Sequence, residues 1–161
     1  MSPHEARSLI VMRHAKAEPF AAEDELRKLT KAGVEAAAEA GRWLADSDLT
    51  PDHAWVSAAE RTRETWSTVA GVQESSVEAQ VEASIYTAGP ETLVDLLQLT
   101  PEAGRTVIVV GHNPTVAYLS HLLDDGSPDT DAWHRLMAGF PTAALAVFDV
   151  PGPWADITLG S

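Results

Sequence analysis

Short, unbroken apolar runs recur along the chain, and each ends in polar residues. Ser8-Leu9-Ile10-Val11-Met12 and Thr106-Val107-Ile108-Val109-Val110 lack polar alternation, the pattern of strands covered on both faces. His53-Ala54-Trp55-Val56 predicts a further strand, Val77 to Ala83 a weaker one, and Ala143 to Val150 a late one. Ile157 to Leu159 reads as a short final strand.

Between these runs the apolar period changes to that of helices. Thr30 is placed to cap a helix over Lys31 to Ala45, with Val34, Ala37, Ala38, Gly41, Trp43 and Leu44 as its buried stripe. Ser57-Ala58-Ala59-Glu60 has capping-box spacing and predicts a helix running to about Val69. Pro90 opens a helix over Glu91 to Leu99, and Asn113 caps one from Pro114 to Leu123. Asp124 to Gly139 is loop-rich, with one helical turn around Trp133 to Met137. Strands alternating with helices predict an α/β fold: a three-layer α/β/α sandwich with a mostly parallel central sheet, in one domain spanning residues 1–161. The late strand follows a loop, so it is expected antiparallel at an edge.

Charge and composition narrow the function. The 161 residues carry 24 Asp and Glu against 11 Lys and Arg, a formal net charge of −13. Such a surface repels nucleic acid and anionic lipid, so neither is an expected partner. With no cysteine, thiolate metal sites, Fe–S clusters and cysteine nucleophiles are excluded. No apolar run has the length of a membrane helix and the first residues do not form a signal peptide, so a cytoplasmic location is expected. His4 falls in a frayed tail, and His53, His121 and His134 lack partners at metal-ligand spacing; no metal or cofactor is expected. A P-loop and a Gly-x-Ser-x-Gly elbow are both missing, and Asp129-Thr130-Asp131 follows a turn rather than a strand.

Ligands of open α/β sheets sit beyond the carboxyl ends of the strands. Three such exits here carry Arg13-His14-Ala15-Lys16, Ser57 with Arg61 one turn on, and Gly111-His112. Taken alone, Arg61 reads as a solvated helix residue pairing with Glu60 or Glu64. Taken together, parallel strands would bring two histidines and two arginines to one rim, an electropositive pocket in an acidic body. Arginine forks and helix amino termini suit a phosphoryl group, and a neutral imidazole is a competent nucleophile toward phosphorus. Nearby positive charge would keep His14 unprotonated.

These segments resemble the histidine phosphatase superfamily, in its SixA-type phosphohistidine phosphatase branch. The resemblance rests on Leu9 to Ala17, Leu26-Arg27-Lys28-Leu29-Thr30 with Gly33, Ser57-Ala58-Ala59-Glu60-Arg61 with Thr65, Ile85-Tyr86, Val109 to Pro114, and Pro141-Thr142-Ala143. It implies a phosphoglycerate-mutase-like fold and a metal-independent hydrolase. His14 would be the phosphorylated nucleophile, and Arg13, Arg61 and His112 would complete the phosphate pocket. Arg27 is carried over as a residue near the pocket mouth, with Lys16 beside it as a second substrate-binding group. Lys28, Ala58 and Glu64 depart from the branch's usual proline, proline and glutamine. Larger members place a general acid after the third strand; here Ser84 occupies that region, and Glu82 is the nearest carboxylate. The expected substrate is a phosphorylated protein bearing phosphohistidine. The alternatives are a small phosphorylated metabolite or nucleotide, or a phosphate-binding module without turnover.

Overall fold

A computed structural model describes residues 7–87, 89–123 and 141–158. Its five strands are β1 (Arg7–Arg13), β2 (His53–Ser57), β3 (Gln80–Glu82), β4 (Thr106–Gly111) and β5 (Leu145–Val150). The helices are α1 (Lys31–Asp46), α2 (Glu60–Val72), α3 (Ser84–Thr87), α4 (Pro90–Gln98) and α5 (Thr115–Leu123), with 3-10 turns at Asp24–Leu26 and Trp154–Asp156.

The sheet order is β3-β2-β4-β1-β5. β1 to β4 run parallel, and β5 lies antiparallel on β1 at the edge, as its loop connection predicts. The apolar runs are continuous because successive residues serve opposite layers. Leu9, Val11, Trp55, Val107 and Val109 pack with α3, α4 and α5 on one face. Ile10, Met12, Ala54, Val56, Ile108 and Val110 pack with α1 and α2 on the other. This is the three-layer α/β/α sandwich. Two buried indoles keep their N–H groups bonded, Trp55 to the Thr100 hydroxyl at 3.0 Å and Trp154 to the Gly104 carbonyl at 2.8 Å.

The layering fixes where a site can form. The chain leaves β1 and β2 toward the α1–α2 face, but leaves β4 toward the α5 face. Neighbouring strands whose exits diverge open a crevice at their carboxyl ends. β4 lies between β1 and β2, so that crevice is bordered by Arg13-His14, Ser57 and Gly111-His112.

Four local expectations are corrected. Thr30 does cap α1, accepting from Gly33 N at 2.9 Å, but the buried stripe is Gly33, Ala37, Gly41 and Leu44. Val34 is exposed and Trp43 is 52% exposed. The reason is close helix packing: a Cβ at Gly41 would lie 3.1 Å from Val69 Cα of α2, so small residues make the contact and the large ones turn outward. The capping box at Ser57 does not form; Ser57 still belongs to β2, and α2 begins at Glu60 after Ala59. The weak strand is confined to Gln80–Glu82, after which Ser84 starts a short helix instead of continuing it. Ile157 and Thr158 follow the second 3-10 turn without forming a strand. Leu159, the helical turn over Trp133 to Met137, Asp129 to Asp131, His4 and His134, and the His121 side chain lie outside the described residues. No helix among the described residues is long and apolar enough to cross a membrane.

Candidate active site

His14 is the first residue past β1, and the sheet's hydrogen bonding continues through it. Its N–H donates to the Gly111 carbonyl at 3.0 Å, and its carbonyl accepts from Ala143 N at 3.0 Å. Ala143 makes that bond in the left-handed region at φ 65°, a conformation costing about 1 kcal/mol for a residue with a Cβ. The His14 ring is 8% exposed, and its Nδ1 donates to the Ala15 carbonyl at 2.7 Å. A carbonyl can only accept, so the ring's proton is on Nδ1 and the lone pair is on Nε2.

His112 follows β4. Its ring centroid is 5.5 Å from that of His14 and 5.2 Å from that of Tyr86. Nε2 is 2.7 Å from the Ser57 hydroxyl, while Nδ1 is buried without a hydrogen-bond partner. This contact explains why Ser57 is not a cap: its hydroxyl is turned to His112.

Arg61, in the first turn of α2, is only 5% exposed. Its Nη1 donates to the Asp24 carbonyl at 2.9 Å and its Nη2 to Asp24 Oδ2 at 3.0 Å, while Nε is buried without a partner. The guanidinium carbon stands 5.6 Å from the Tyr86 ring centroid. The local pairing that its sequence neighbours suggested goes elsewhere: Arg63 pairs with Glu60, and Glu64 accepts Leu29 N at 2.8 Å. Glu64 thus fills its position as a hydrogen-bond acceptor.

The segment between Lys16 and Thr30 forms the rim. Its base is closed by the Ala17–Leu29 bridge, by Glu18 N to the Lys28 carbonyl at 2.8 Å, and by Thr30 N to the Lys16 carbonyl at 2.9 Å. Asp24 reaches from it to Arg61 and Tyr86. Oδ1 accepts from Arg27 Nε at 2.9 Å, and Oδ2 accepts from both Arg61 and the Tyr86 hydroxyl. Arg27 is braced in turn by the Glu18 carbonyl at 3.0 Å.

Burial, more than charge, keeps the imidazoles neutral. Desolvation pushes the His14 pKa down to about 4, the Ala15 carbonyl opposes this, and Arg61, Arg13 and Arg27 add to it. His112 falls to about 3, through burial first and then Arg61, His14 and Arg13, with Asp24 opposing. The Tyr86 hydroxyl and then Arg61 and Arg27 hold the Asp24 carboxyl down to about 2. The sequence pointed to nearby positive charge as the cause at His14, which is the smaller contribution.

His14 and His112 therefore stand together with Arg61 and Arg13 near enough to act on both rings, and Arg27 is joined to Arg61 through Asp24. Lys16 is exposed and contributes its backbone carbonyl to the rim; no described contact brings its ammonium to the cluster. Glu82 is half-buried at the end of β3, in register with Ser57, and no described hydrogen bond links it to either histidine. No group of three His, Asp or Glu among the described residues is arranged to hold a metal ion. Asp24 is the participant that sequence reasoning missed. Its one signal is its place three residues before Arg27, which reads as a local surface pair.

Comparison with known proteins agrees with this architecture. Residues 9–84 match the model of the histidine phosphatase superfamily (branch 1). An uncharacterised protein of Mycobacterium leprae is 31% identical over 157 residues, covering 93% of this chain and 94% of its own. Among solved structures, SixA from Nakamurella multipartitia is 33% identical with a TM-score of 0.80, covering 94% of this chain and 88% of that one. The protein histidine phosphatase SixA complexed with tungstate is 27% identical with a TM-score of 0.74, covering 87% and 86%. The chain belongs to the histidine phosphatase superfamily, with the phosphoglycerate-mutase-like fold, and is a phosphatase.

Proposed function

We propose that this phosphatase works through transient phosphorylation of His14 Nε2, and that its substrate is phosphohistidine carried on a protein. The observation that carries the reading is the Nδ1–H bond from His14 to the Ala15 carbonyl, which leaves a bare lone pair on Nε2 of a neutral ring. That lone pair attacks phosphorus, the bond to the leaving group breaks, and its electron pair departs with the leaving group. Arg13, the buried Nε of Arg61 and Nδ1 of His112 supply donors to the phosphoryl oxygens as charge redistributes over them. For His112 this requires its proton on Nδ1, which follows if Ser57 donates its hydroxyl hydrogen to Nε2. Water then attacks the phosphorus, the P–Nε2 bond breaks with its electron pair returning to a neutral His14 ring, and the water's proton leaves with the phosphate or to solvent.

The leaving group decides the substrate class. Alkyl esters need a proton on the departing oxygen. Asp24, with its pKa near 2, is ionised and supplies none, and Glu82 lies outside the described contacts of the histidines. A P–N bond is labile without that proton transfer. SixA is named among similar structures as a protein histidine phosphatase, which supports the same reading.

The test is incubation with a radiolabelled histidine-phosphorylated protein beside p-nitrophenyl phosphate and an alkyl phosphate. Wild type is expected to acquire acid-labile label and release phosphate from the first two far faster than from the third; His14→Ala acquires none. Equal efficiency on the alkyl ester overturns the substrate assignment, and labelling of His14→Ala overturns the nucleophile.

A further inference from the structure

Asp24 has more to do than hold Arg61. The carboxylate has about four lone-pair sites, and the bonds from Arg27, Arg61 and Tyr86 use three, one on Oδ1 and two on Oδ2. One acceptor position on Oδ1 remains. Asp24 is also the exposed member of the cluster: 52% of its side chain is exposed, against 6% of the Arg61 side chain, and His14 is buried. Asp24 therefore presents its carboxylate to solvent while His14 is buried. In-line attack from the buried His14 leaves the departing group on the solvent side, beside Asp24.

We propose that Asp24 is a specificity-determining residue, its free acceptor position receiving the N–H of the second ring nitrogen of a phosphorylated imidazole. This rests on the phosphohistidine reading above. The chemistry balances without any proton transfer. A phosphoimidazole protonated on its distal nitrogen is an imidazolium; when the P–N bond breaks, the electron pair returns to the ring, which departs as neutral imidazole. Without that distal proton it would have to leave as imidazolate, a far poorer leaving group. An ionised carboxylate favours the protonated, reactive form of the substrate. The low pKa that disqualifies Asp24 as a proton donor suits it to this part. An aryl phosphate has no such N–H, and its departing phenolate gains nothing from a neighbouring negative charge.

The experiment compares kcat/KM for phosphohistidine and for p-nitrophenyl phosphate in wild type, Asp24→Asn and Asp24→Glu. Asparagine keeps the shape, the backbone carbonyl and one oxygen for Arg61 but removes the charge. The ratio of phosphohistidine to aryl-phosphate efficiency is expected to fall about 10- to 100-fold in Asp24→Asn, the size of one charge-assisted hydrogen bond. Asp24→Glu should recover most of that ratio. If Asp24 acts only by positioning Arg61, both efficiencies fall by the same factor and the ratio stays put, which overturns the proposal. Wild type that fails to hydrolyse phosphohistidine overturns the underlying reading along with it, so the two failures are separable.

Discussion

The Thr65 hydroxyl accepts the backbone N–H of Ala15 at 3.0 Å while donating to the Arg61 carbonyl at 2.7 Å. Through one buried oxygen, the residue after His14 is tied to the helix turn that carries Arg61. The carbonyl that orients the His14 ring belongs to that same Ala15.

Replacing Thr65 by valine keeps the volume and strands the Ala15 N–H. A loss of about 1–3 kcal/mol in stability is expected, the cost of an unsatisfied buried donor. Chemical denaturation measures it. The kcat should fall as well, with KM less affected, and Thr65→Ser should recover both.

Arg61→Lys is not a conservative change here. The guanidinium uses Nη1 and Nη2 on Asp24 and keeps Nε for a ligand, whereas an ammonium has a single centre. Steady-state kinetics on p-nitrophenyl phosphate should show a fall in kcat/KM of about 10²- to 10³-fold. The fold should survive, which far-ultraviolet circular dichroism checks.

The histidine pKa values set a pH window. Above about pH 6.5 His14 is neutral in both the folded and unfolded chain and adds no slope. Between about 6.5 and 4 the unfolded chain binds a proton that the folded one refuses, so stability falls as pH falls. At about pH 5 this amounts to about 2 kcal/mol for His14 alone. Denaturant titrations at several pH values should show a shallower decline for His14→Gln than for wild type. The requirement for a neutral His14 should leave kcat little changed down to about pH 5.

Two glycines make a paired test of the rim. A methyl group at Gly33 would overlap the Lys16 carbonyl, which bonds Thr30 at the start of α1, whereas one at Gly71 meets nothing within 4 Å. Gly33→Ala should cost about 1–3 kcal/mol and lower activity, by pushing the rim away from the nucleophile's strand. Gly71→Ala, inside α2, should gain about 0.5–1 kcal/mol. Thermal melts of the two variants decide both.

Much of this was legible beforehand because the burial of β1, β2 and β4 on both faces leaves an unmistakable apolar signature. Once those strands are parallel, Arg13, His14, Arg61 and His112 have few places to go. The errors arose where local chemistry allows more than one outcome. Ser57 has the letters of a cap, but a nearby imidazole competes for its hydroxyl, and only the fold brings His112 there. Trp43 looks like core by size, yet the α1–α2 contact is too close for it. Asp24 was invisible because a polar rim has no periodicity to indicate which side chain turns inward. Its partners Arg61 and Tyr86 are 37 and 62 residues away.

The backbone of His14 is engaged by β4 on one side and by the segment leading into β5 on the other, whereas the Glu18–Lys28 rim is a loop held at its base by backbone bonds and at Asp24 by Arg61 and Tyr86. His14, the proposed nucleophile, is therefore held by the sheet, and accommodation falls to the exposed side chains of the rim. Sequence drift at rim positions other than Asp24 and Arg27 is expected to change which phosphorylated compounds are admitted while the proposed phosphate-binding residues stay in place. A single scaffold could in this way be redirected to new cargo by alterations confined to a dozen or so surface positions.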